Sequence, residues 1–324
     1  MEKKAKQTET GKAFEYALLK VFLERLKSHT KISAIENEPY KTAKKCYDNF
    51  GIKERELYNL NASLAVDFLN ALEPRLANSM NTTDILQLEI MADKEGQSGD
   101  VRDVLAIRSL QKWEIGFSAK NNHRAVKHSR LSEKLDFGNV WLNIPCSENY
   151  FNKIKPIFSK LRKLREESNA TKKWSSLGDY QSMIYVPVLD AFKAELEFLN
   201  RNNEMVAKKL VEYLIGNRDF YKIIKSKNEV VIQAYNLHGT LNLPAKNVKS
   251  KFKIQKLKLP NRLIEIVYKD NSKTTLLVVL SHGWQISFRI HNASSKVEPS
   301  LKFDINLISS PSTLFEHHLP LGNL

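Results

Sequence analysis

The stretch SGDVRDVLAIRSLQKWEIGFSAK, residues 98–120, decides the fold. Asp103 leads into Val-Leu-Ala-Ile, a run of consecutive apolar residues that is typical of a buried strand. A second strand is predicted from Trp113 to Lys120, and it ends in Ser118-Ala119-Lys120. Because neighbouring strands lie about 4.8 Å apart, the pair can bring a carboxylate and a lysine to one place.

An aspartate before one strand and a lysine at the end of the next form the minimal site of a magnesium-dependent nuclease. Phosphodiester hydrolysis needs a metal ion to activate water and a cation to stabilise the developing charge. Magnesium prefers hard oxygen ligands and keeps several waters, so two carboxylates suffice. Asp103 is the predicted first ligand, and Lys120 shares a strand face with Ser118. The structural alternative is a turn aspartate and a solvated lysine.

The second carboxylate of this site is left open by the residues. The position two before Lys120 would usually hold an acid, and here it is Ser118. Glu114 shares that strand face, but four residues of strand separate it from Ser118 by about 13 Å. The predicted second ligand is therefore Glu114 or Asp100, ranked above Glu89 on the preceding strand.

The composition points to a polyanionic partner. The 324 residues include 51 Lys and Arg against 36 Asp and Glu, a formal net charge of +15. Such a surplus favours nucleic acid, and after it an acidic membrane surface. No apolar run is long enough to span a bilayer, and the polar start MEKKAKQTETGK lacks a signal-peptide core. Cys46 and Cys146 suggest neither a disulfide framework nor a zinc site, so we expect a reducing cytoplasm.

The periodicity predicts four segments along the chain. They are a helical region over 1–80, catalytic core strands with a helix over 81–146, a helical region over 147–225 and a β-rich DNA-recognition region over 226–324. Within the core we predict strands from residue 86 onward, a helix over 123–135 and a short strand over 140–144. The polar stretch GNRDFYKIIKSKN, residues 216–228, is expected to be a link between the last two segments.

Three groups of polar and basic residues are candidates for holding DNA. The first follows Lys120 directly, and no acid occurs from 121 to 130, so we expect a basic helix start that grips phosphates. The second alternates with Ser250 and Phe252, which predicts one face of a strand. The third lies on one face of a strand over 284–291, where such side chains can contact base edges and arginine favours guanine. The candidates are Asn121, Asn122, His123, Arg124, Lys127, His128 and Arg130; Lys249, Lys251 and Lys253; and Gln285, Ser287, Arg289 and His291.

The segment GDVRDVLAIRS…WEIGFSAKNNHRAVKHSRLS, residues 99–132, resembles the catalytic region of HaeIII-type type II restriction endonucleases. LDFGNVWLNIP (135–145) and GWQISFRIHNASSKVEPSLKFDI (283–305) extend the likeness. The resemblance implies an α/β PD-(D/E)xK nuclease core, a mixed sheet flanked by helices, with helical insertions and a C-terminal β-rich part. It places Asp103 and Lys120 on the core motif and departs from that motif at Ser118.

The same resemblance implies a Mg²⁺ cofactor, double-stranded DNA as substrate and GGCC as the target. It also implies a cognate DNA methyltransferase in the same system, without a physical complex. Two alternatives remain at this point. One is a non-catalytic DNA-binding protein, and the other is a structure-specific or modification-dependent nuclease of the same fold.

Overall fold

The computed structural model describes residues 2–79, 83–92, 100–121 and 125–322. The chain forms two compact units, each built from separate stretches of sequence. The first comprises residues 1–124, 217–258 and 313–324, and the second comprises 125–216 and 259–312. This division cuts across the four predicted segments, because the predicted β-rich region over 226–324 is shared between both units.

The helices and strands are numbered in chain order. The helices are α1 Glu2–Leu26, α2 Glu38–Asp48, α3 Ile52–Leu72, α4 Pro74–Ala77, α5 Glu148–Glu167, α6 Val186–Asn202 and α7 Val206–Ile215. The strands are β1 Ile32–Ile35, β2 Leu86–Ile90, β3 Val104–Arg108, β4 Trp113–Asn121, β5 Ala125–Ser132, β6 Phe220–Lys225, β7 Glu229–Tyr235, β8 Leu263–Tyr268, β9 Thr275–Leu280, β10 Gln285–His291, β11 Ser300–Ser309 and β12 Phe315–Pro320. None of these helices combines the length and the apolar content needed to cross a bilayer.

The first unit is organised around a mixed seven-stranded sheet in the order β1-β2-β3-β4-β6-β7-β12. β1 pairs with β2 and β4 with β6 in parallel, and the other neighbours are antiparallel. The predicted strands over 86–90, 103–107 and 113–120 are confirmed as β2, β3 and β4. The mixed α/β architecture predicted from the sequence is thereby confirmed.

α1 packs on one face of this sheet and fixes which residues of β4 point away from it. Residues 13–19 of α1 are all buried, and the Phe22 ring lies 4.8 Å from the ring of Phe117 on β4. Since side chains alternate along a strand, Ser118 and Lys120 lie on the face opposite Phe117. The predicted site residues of β4 therefore share the face opposite the contact between Phe22 and Phe117.

A buried carboxyl group joins the end of α3 to β6. Glu73 is fully buried, and its Oε1 accepts hydrogen bonds from the Tyr221 hydroxyl at 2.6 Å and from the backbone N–H of Asn242. Its Oε2 has no hydrogen-bond partner among the described residues. Burial raises the pKa of Glu73 to about 7, although the bonds from Tyr221 and Asn242 act in the opposite direction. The carboxyl therefore favours its neutral form inside the fold.

The second unit contains an antiparallel five-stranded sheet in the order β5-β11-β10-β9-β8. Phe192 of α6 packs on one face of it, 5.6 Å from Phe288 and 5.0 Å from Phe303, measured between ring centroids. The predicted alternation in β10 is confirmed, because Trp284, Ile286, Phe288 and Ile290 are all buried. The helices predicted within 147–225 are confirmed as α5 and α6.

The predicted helix over 123–135 is wrong, because residues 125–132 form strand β5 and pair with β11. The burial pattern of β5 is that of a strand, because Ser129 and Leu131 are buried on one face while His128 and Arg130 are exposed on the other. Burial of every second residue fits one face of a sheet, whereas a helix would bury residues three or four apart.

Three further predictions of secondary structure are wrong. Residues 138–142 form a single π-helical turn rather than a strand, and Asn143 ends it with φ +53°. A side chain at Gly138 would approach the carbonyl oxygen of Ile144 to 2.5 Å, so only glycine fits this tight turn. Residues 249–254 are irregular rather than a strand, and the predicted link over 216–228 contains β6.

Candidate active site

Asp103 is held by backbone hydrogen bonds to both neighbouring strands. Its N–H donates to the carbonyl of Phe117 at 2.8 Å, and its carbonyl accepts from the N–H of Met91 at 2.9 Å. It therefore continues the ladder just before β3, with its side chain on the same face of the sheet as Ser118 and Lys120. The apolar run after Asp103 buries β3 and so fixes the position of this carboxylate.

The Asp103 carboxylate is the point at which the predicted residues of β4 meet. Its Oδ2 accepts hydrogen bonds from the Ala119 N–H at 2.7 Å, the Lys120 Nζ at 3.0 Å and the Ser118 Oγ at 3.2 Å. The side chains of Asp103 and Lys120 are 23% and 31% exposed, so solvent reaches both. Among the described residues no donor bonds to Oδ1, which leaves one carboxylate oxygen available to a ligand.

Asp100 and Glu114 are both directed toward Arg102 rather than toward Asp103. Arg102 donates to Asp100 at 2.6 and 2.8 Å and to Glu114 at 2.9 Å. Although burial raises the pKa of Asp100, the hydrogen bonds and charge of Arg102 outweigh it, and the net shift is downward. We therefore no longer favour either carboxylate as the second metal ligand.

Gly116 makes room for the Arg102 side chain to cross β4. A Cβ atom at this position would lie 2.0 Å from Cδ of Arg102, which is far shorter than a nonbonded contact between two carbon atoms, so Arg102 would have to move. Glycine in the middle of the strand thus marks a close approach rather than a turn.

Glu89, the third predicted alternative, is engaged by the N-cap of α2. The Asn37 side-chain amide donates to Glu89 Oε1 at 3.1 Å, and its own oxygen accepts from the N–H of Tyr40. Glu89 lies on β2 opposite Leu105, two residues along the strand from Asp103. Its carboxylate has a structural partner in this position.

Glu15 on α1 is a carboxylate that the sequence reasoning missed. Its side chain is only 6% exposed and accepts a hydrogen bond from Lys12 Nζ at 3.0 Å. Burial and the negative charge of Asp103 raise its pKa, the hydrogen bond and charge of Lys12 and the charge of Lys120 lower it, and the net result is a pKa of about 7. Glu15 therefore lies within electrostatic range of both Asp103 and Lys120. The available signal in the sequence was a single acid among the apolar and aromatic residues of a predicted helix.

Lys222 is the second residue that was missed, because its strand was taken for a polar link. It lies on β6 directly beside Ser118 in the parallel pairing and is only 5% exposed. A basic side chain in the next strand, in register with the predicted site, therefore adds positive charge to this part of the sheet.

The donor set around Asp103 fits a hard divalent ion. Asp103 Oδ1 is available, and Glu15 supplies a second carboxyl group whose charged form the Asp103 carboxylate disfavours. A cation near both would relieve this repulsion between like charges. In the described part of the chain no cluster of three or more His, Cys, Asp or Glu side chains is placed to hold a metal ion.

A family model, described as the HaeIII restriction endonuclease, matches residues 11–311 of this sequence. The chain is also 41% identical over 312 residues to the Type II restriction enzyme HaeIII of Haemophilus aegyptius, covering 95% of this chain and 96% of that enzyme. This chain belongs to the HaeIII restriction endonuclease family. Its membership confirms the predicted resemblance and the predicted enzyme class, a restriction endonuclease. No solved structure matches the chain significantly.

In this member of the HaeIII family, the basic residues after Lys120 divide between the two faces of β5. His128 and Arg130 are exposed on one face. Lys127 lies on the other, where its Nζ donates to the carbonyl of Tyr213 at 3.0 Å and lies 3.7 Å from the ring of Tyr213. Burial lowers the pKa of Lys127 to about 8. Lys127 thus packs against α7, and we no longer favour it as a phosphate contact. Asn122, His123 and Arg124 lie outside the described residues.

The polar residues predicted on β10 share one face but differ in exposure. Arg289 is exposed, Gln285 and His291 are half-buried, and Ser287 is buried. Arg289 Nη2 donates to Asp304 Oδ2 on β11 at 2.9 Å. Arg289 is therefore the member of this set with the most accessible polar head.

The remaining candidates lie in the first unit. Lys249, Lys251 and Lys253 are exposed in an irregular stretch, so they keep their accessibility without sharing a strand face. Asn121 at the end of β4 accepts a long hydrogen bond of 3.4 Å from Lys225.

Proposed function

We propose that this restriction endonuclease hydrolyses phosphodiester bonds of double-stranded DNA in a Mg²⁺-dependent reaction at a short G/C-rich site, GGCC. The observation that carries the proposal is the convergence of Ser118, Ala119 and Lys120 on one oxygen of Asp103 at adjacent strand ends. A mixed sheet with this carboxylate–lysine pair supports a PD-(D/E)xK core. GGCC rests on the likeness to the HaeIII-type enzymes.

Each residue of the proposed site has a separate task. The Ala119 N–H and the Ser118 hydroxyl fix the orientation of Asp103, because both donate to the same carboxylate oxygen. Lys120, whose Nζ is 3.0 Å from that oxygen, is placed to donate to a nonbridging phosphate oxygen beside Asp103. Water adds to phosphorus while one P–O ester bond breaks, and the lysine stabilises the charge that develops on the phosphate.

Asp103 and Glu15 would hold the metal ion in this proposal. A bound Mg²⁺ supplies Lewis-acid polarisation of the phosphate and lowers the pKa of a bound water. The burial of Glu15 excludes bulk water from one side of the site. Its bond to Lys12 keeps the side chain in place before the ion binds.

Phosphate and base contacts would come from the candidates that solvent reaches. The exposed ones are Arg130 and His128 on β5, Arg289 on β10, and Lys249, Lys251 and Lys253, and the half-buried ones are Gln285 and His291 on β10. The lysines would bind the backbone and make affinity fall with salt concentration. Arg289 would contact guanine. We further propose a cognate methyltransferase that protects the host sites, and a cytoplasmic location, where that DNA lies.

Cleavage of a mapped plasmid by Asp103→Asn and Lys120→Met variants tests this site. Both should lose cutting by about 10²–10³-fold or more while still shifting a target duplex in a gel, since removing one group that stabilises the transition state costs about 10²–10³ in rate. Lys41→Met is the matched control, because Lys41 is an exposed helix residue that forms an ion pair with the exposed Glu38. Normal cutting by Asp103→Asn would show that the chemistry lies elsewhere.

The same plasmid separates the proposal from a modification-dependent nuclease. Fragments should end at GGCC, and prior methylation of GGCC should block them. Cutting that requires methylation, or that ignores sequence, would favour the alternative instead.

A further inference from the structure

A histidine, an aspartate and an arginine form a row across the five-stranded sheet of the second unit. His128 on β5 lies opposite Asp304 on β11, and Asp304 lies opposite Arg289 on β10. Asp304 Oδ2 accepts from Arg289 Nη2 at 2.9 Å, and its Oδ1 lies 3.6 Å from His128 Nδ1. One carboxylate therefore sits between two side chains that were predicted to contact DNA.

The row lies on the face opposite the aromatic residues that pack against α6. Phe288 and Phe303 neighbour Arg289 and Asp304 in sequence and are buried, so the charged residues must point the other way. The exposed fractions of the side chains are 56% for Arg289 and 46% for His128, against 21% for Asp304. The carboxylate is thus recessed, and the two side chains beside it stand out.

Asp304 constrains a side chain that would otherwise be mobile. Arginine has five N–H donors in a fixed planar fork, and the bond to Asp304 uses one of them, on Nη2. In the part of the chain that the structure describes, no acceptor engages the other N–H groups of Arg289. Fixing one edge of the guanidinium leaves the rest of the fork available for the two acceptors, O6 and N7, that guanine presents in the major groove.

We infer that Asp304 is a specificity-determining positioning residue, which orients Arg289 for guanine in a G·C-containing duplex. The inference rests on the proposed function and adds to it a residue that does not touch the reacting atoms. A bare carboxylate facing DNA repels phosphate, so its presence in the middle of a basic face is otherwise unfavourable. Pre-orientation lowers the entropy cost of ordering the arginine on binding.

The charge of Asp304 provides a readout that distinguishes positioning from a general effect on folding. Asp304→Asn keeps the size of the side chain and removes its charge. Non-specific DNA binding should then strengthen or stay constant, because a repulsive charge is gone. Binding to the target should weaken relative to a one-base mismatch, by roughly 5- to 100-fold, since a bidentate arginine–guanine pair contributes discrimination of that size. A loss of structure would weaken both kinds of binding together.

The experiment uses full-length protein that carries Lys120→Met, so that duplexes are bound but not cut. Binding to the mapped target, to single-substitution duplexes and to unrelated DNA is measured for Asp304→Asn, Arg289→Met and the double variant. Glu197→Gln is the control, because this α6 acid lies in the same unit and forms its ion pair with Lys193 of the same helix. We expect equal losses of discrimination in both single variants and no further loss in the double variant.

The failures are distinguishable. If Arg289→Met loses discrimination and Asp304→Asn does not, the inference about Asp304 is overturned and the proposed function stands. If Asp304→Asn weakens binding to every duplex equally, the positioning role is also overturned. If wild-type protein leaves every mapped plasmid uncut, the proposed function fails before Asp304 is tested.

Discussion

Glu73→Gln should change how the stability of the protein depends on pH. Burial raises the pKa of this carboxyl from 4.5 to about 7 in the folded state. A difference of about 2.5 in pKa corresponds to roughly 3 kcal/mol of unfolding free energy. Because the folded pKa is the higher one, this stability is fully present below pH 4.5 and is lost as the pH rises to 7. Glutamine does not titrate, so the variant loses none of it.

Urea unfolding followed by circular dichroism between pH 4.5 and 8 measures the effect. The unfolding free energy of Glu73→Gln minus that of the wild type should grow by roughly 3 kcal/mol across this interval. Taking the difference removes the titration of all other groups, and the exposed Glu36→Gln should give a flat difference. If the Glu73→Gln and wild-type curves run parallel, the buried carboxyl is not neutral in the fold and the reasoning is refuted.

Three other variants test separate parts of the structure. Gly116→Ala should lower the unfolding free energy by about 1–3 kcal/mol, because its Cβ would collide with Arg102; an unchanged urea midpoint would contradict this. Glu15→Gln should weaken Mn²⁺ binding by at least about tenfold in calorimetry with an unchanged dichroism spectrum, and equal affinity would remove Glu15 from the metal site. Arg130→Ala should reduce the slope of log K against log salt for DNA binding by about 1, whereas Lys127→Met should leave the slope as it is.

The central strands of the catalytic sheet were predictable because their signals are local. Asp103 precedes an unbroken apolar run, and along β4 apolar residues such as Phe117, which packs on α1, alternate with smaller or polar ones. Ser118, Ala119 and Lys120 meet Asp103 because β3 and β4 are neighbours both in sequence and in the sheet. The family likeness then identified what such a pair does.

The errors arise where the partner of a segment is far away in sequence. Residues 125–132 pair with β11, which begins at Ser300, so no window around Lys127 contains the information that makes a strand. Glu15 was missed for the same reason, because only the packing of α1 brings it into range of Asp103. β6 differs, because it pairs with the adjacent β7 as well as with the distant β4, and its two lysines led to the prediction of a polar link.

The order of the strands in the catalytic sheet also has a consequence for synthesis of the enzyme. Strand β4, which carries Lys120, is synthesised long before β6, its parallel neighbour in the sheet, because β4 ends at Asn121 and β6 begins at Phe220. At translation rates of about 5–20 residues per second, this gap of roughly 100 residues delays completion by about 5–20 s. The edge strand β12 is made later still. During this interval a nascent polypeptide carries Asp103 and Lys120, the proposed catalytic pair, while β4 still lacks its parallel neighbour, so the sheet that surrounds the pair is incomplete.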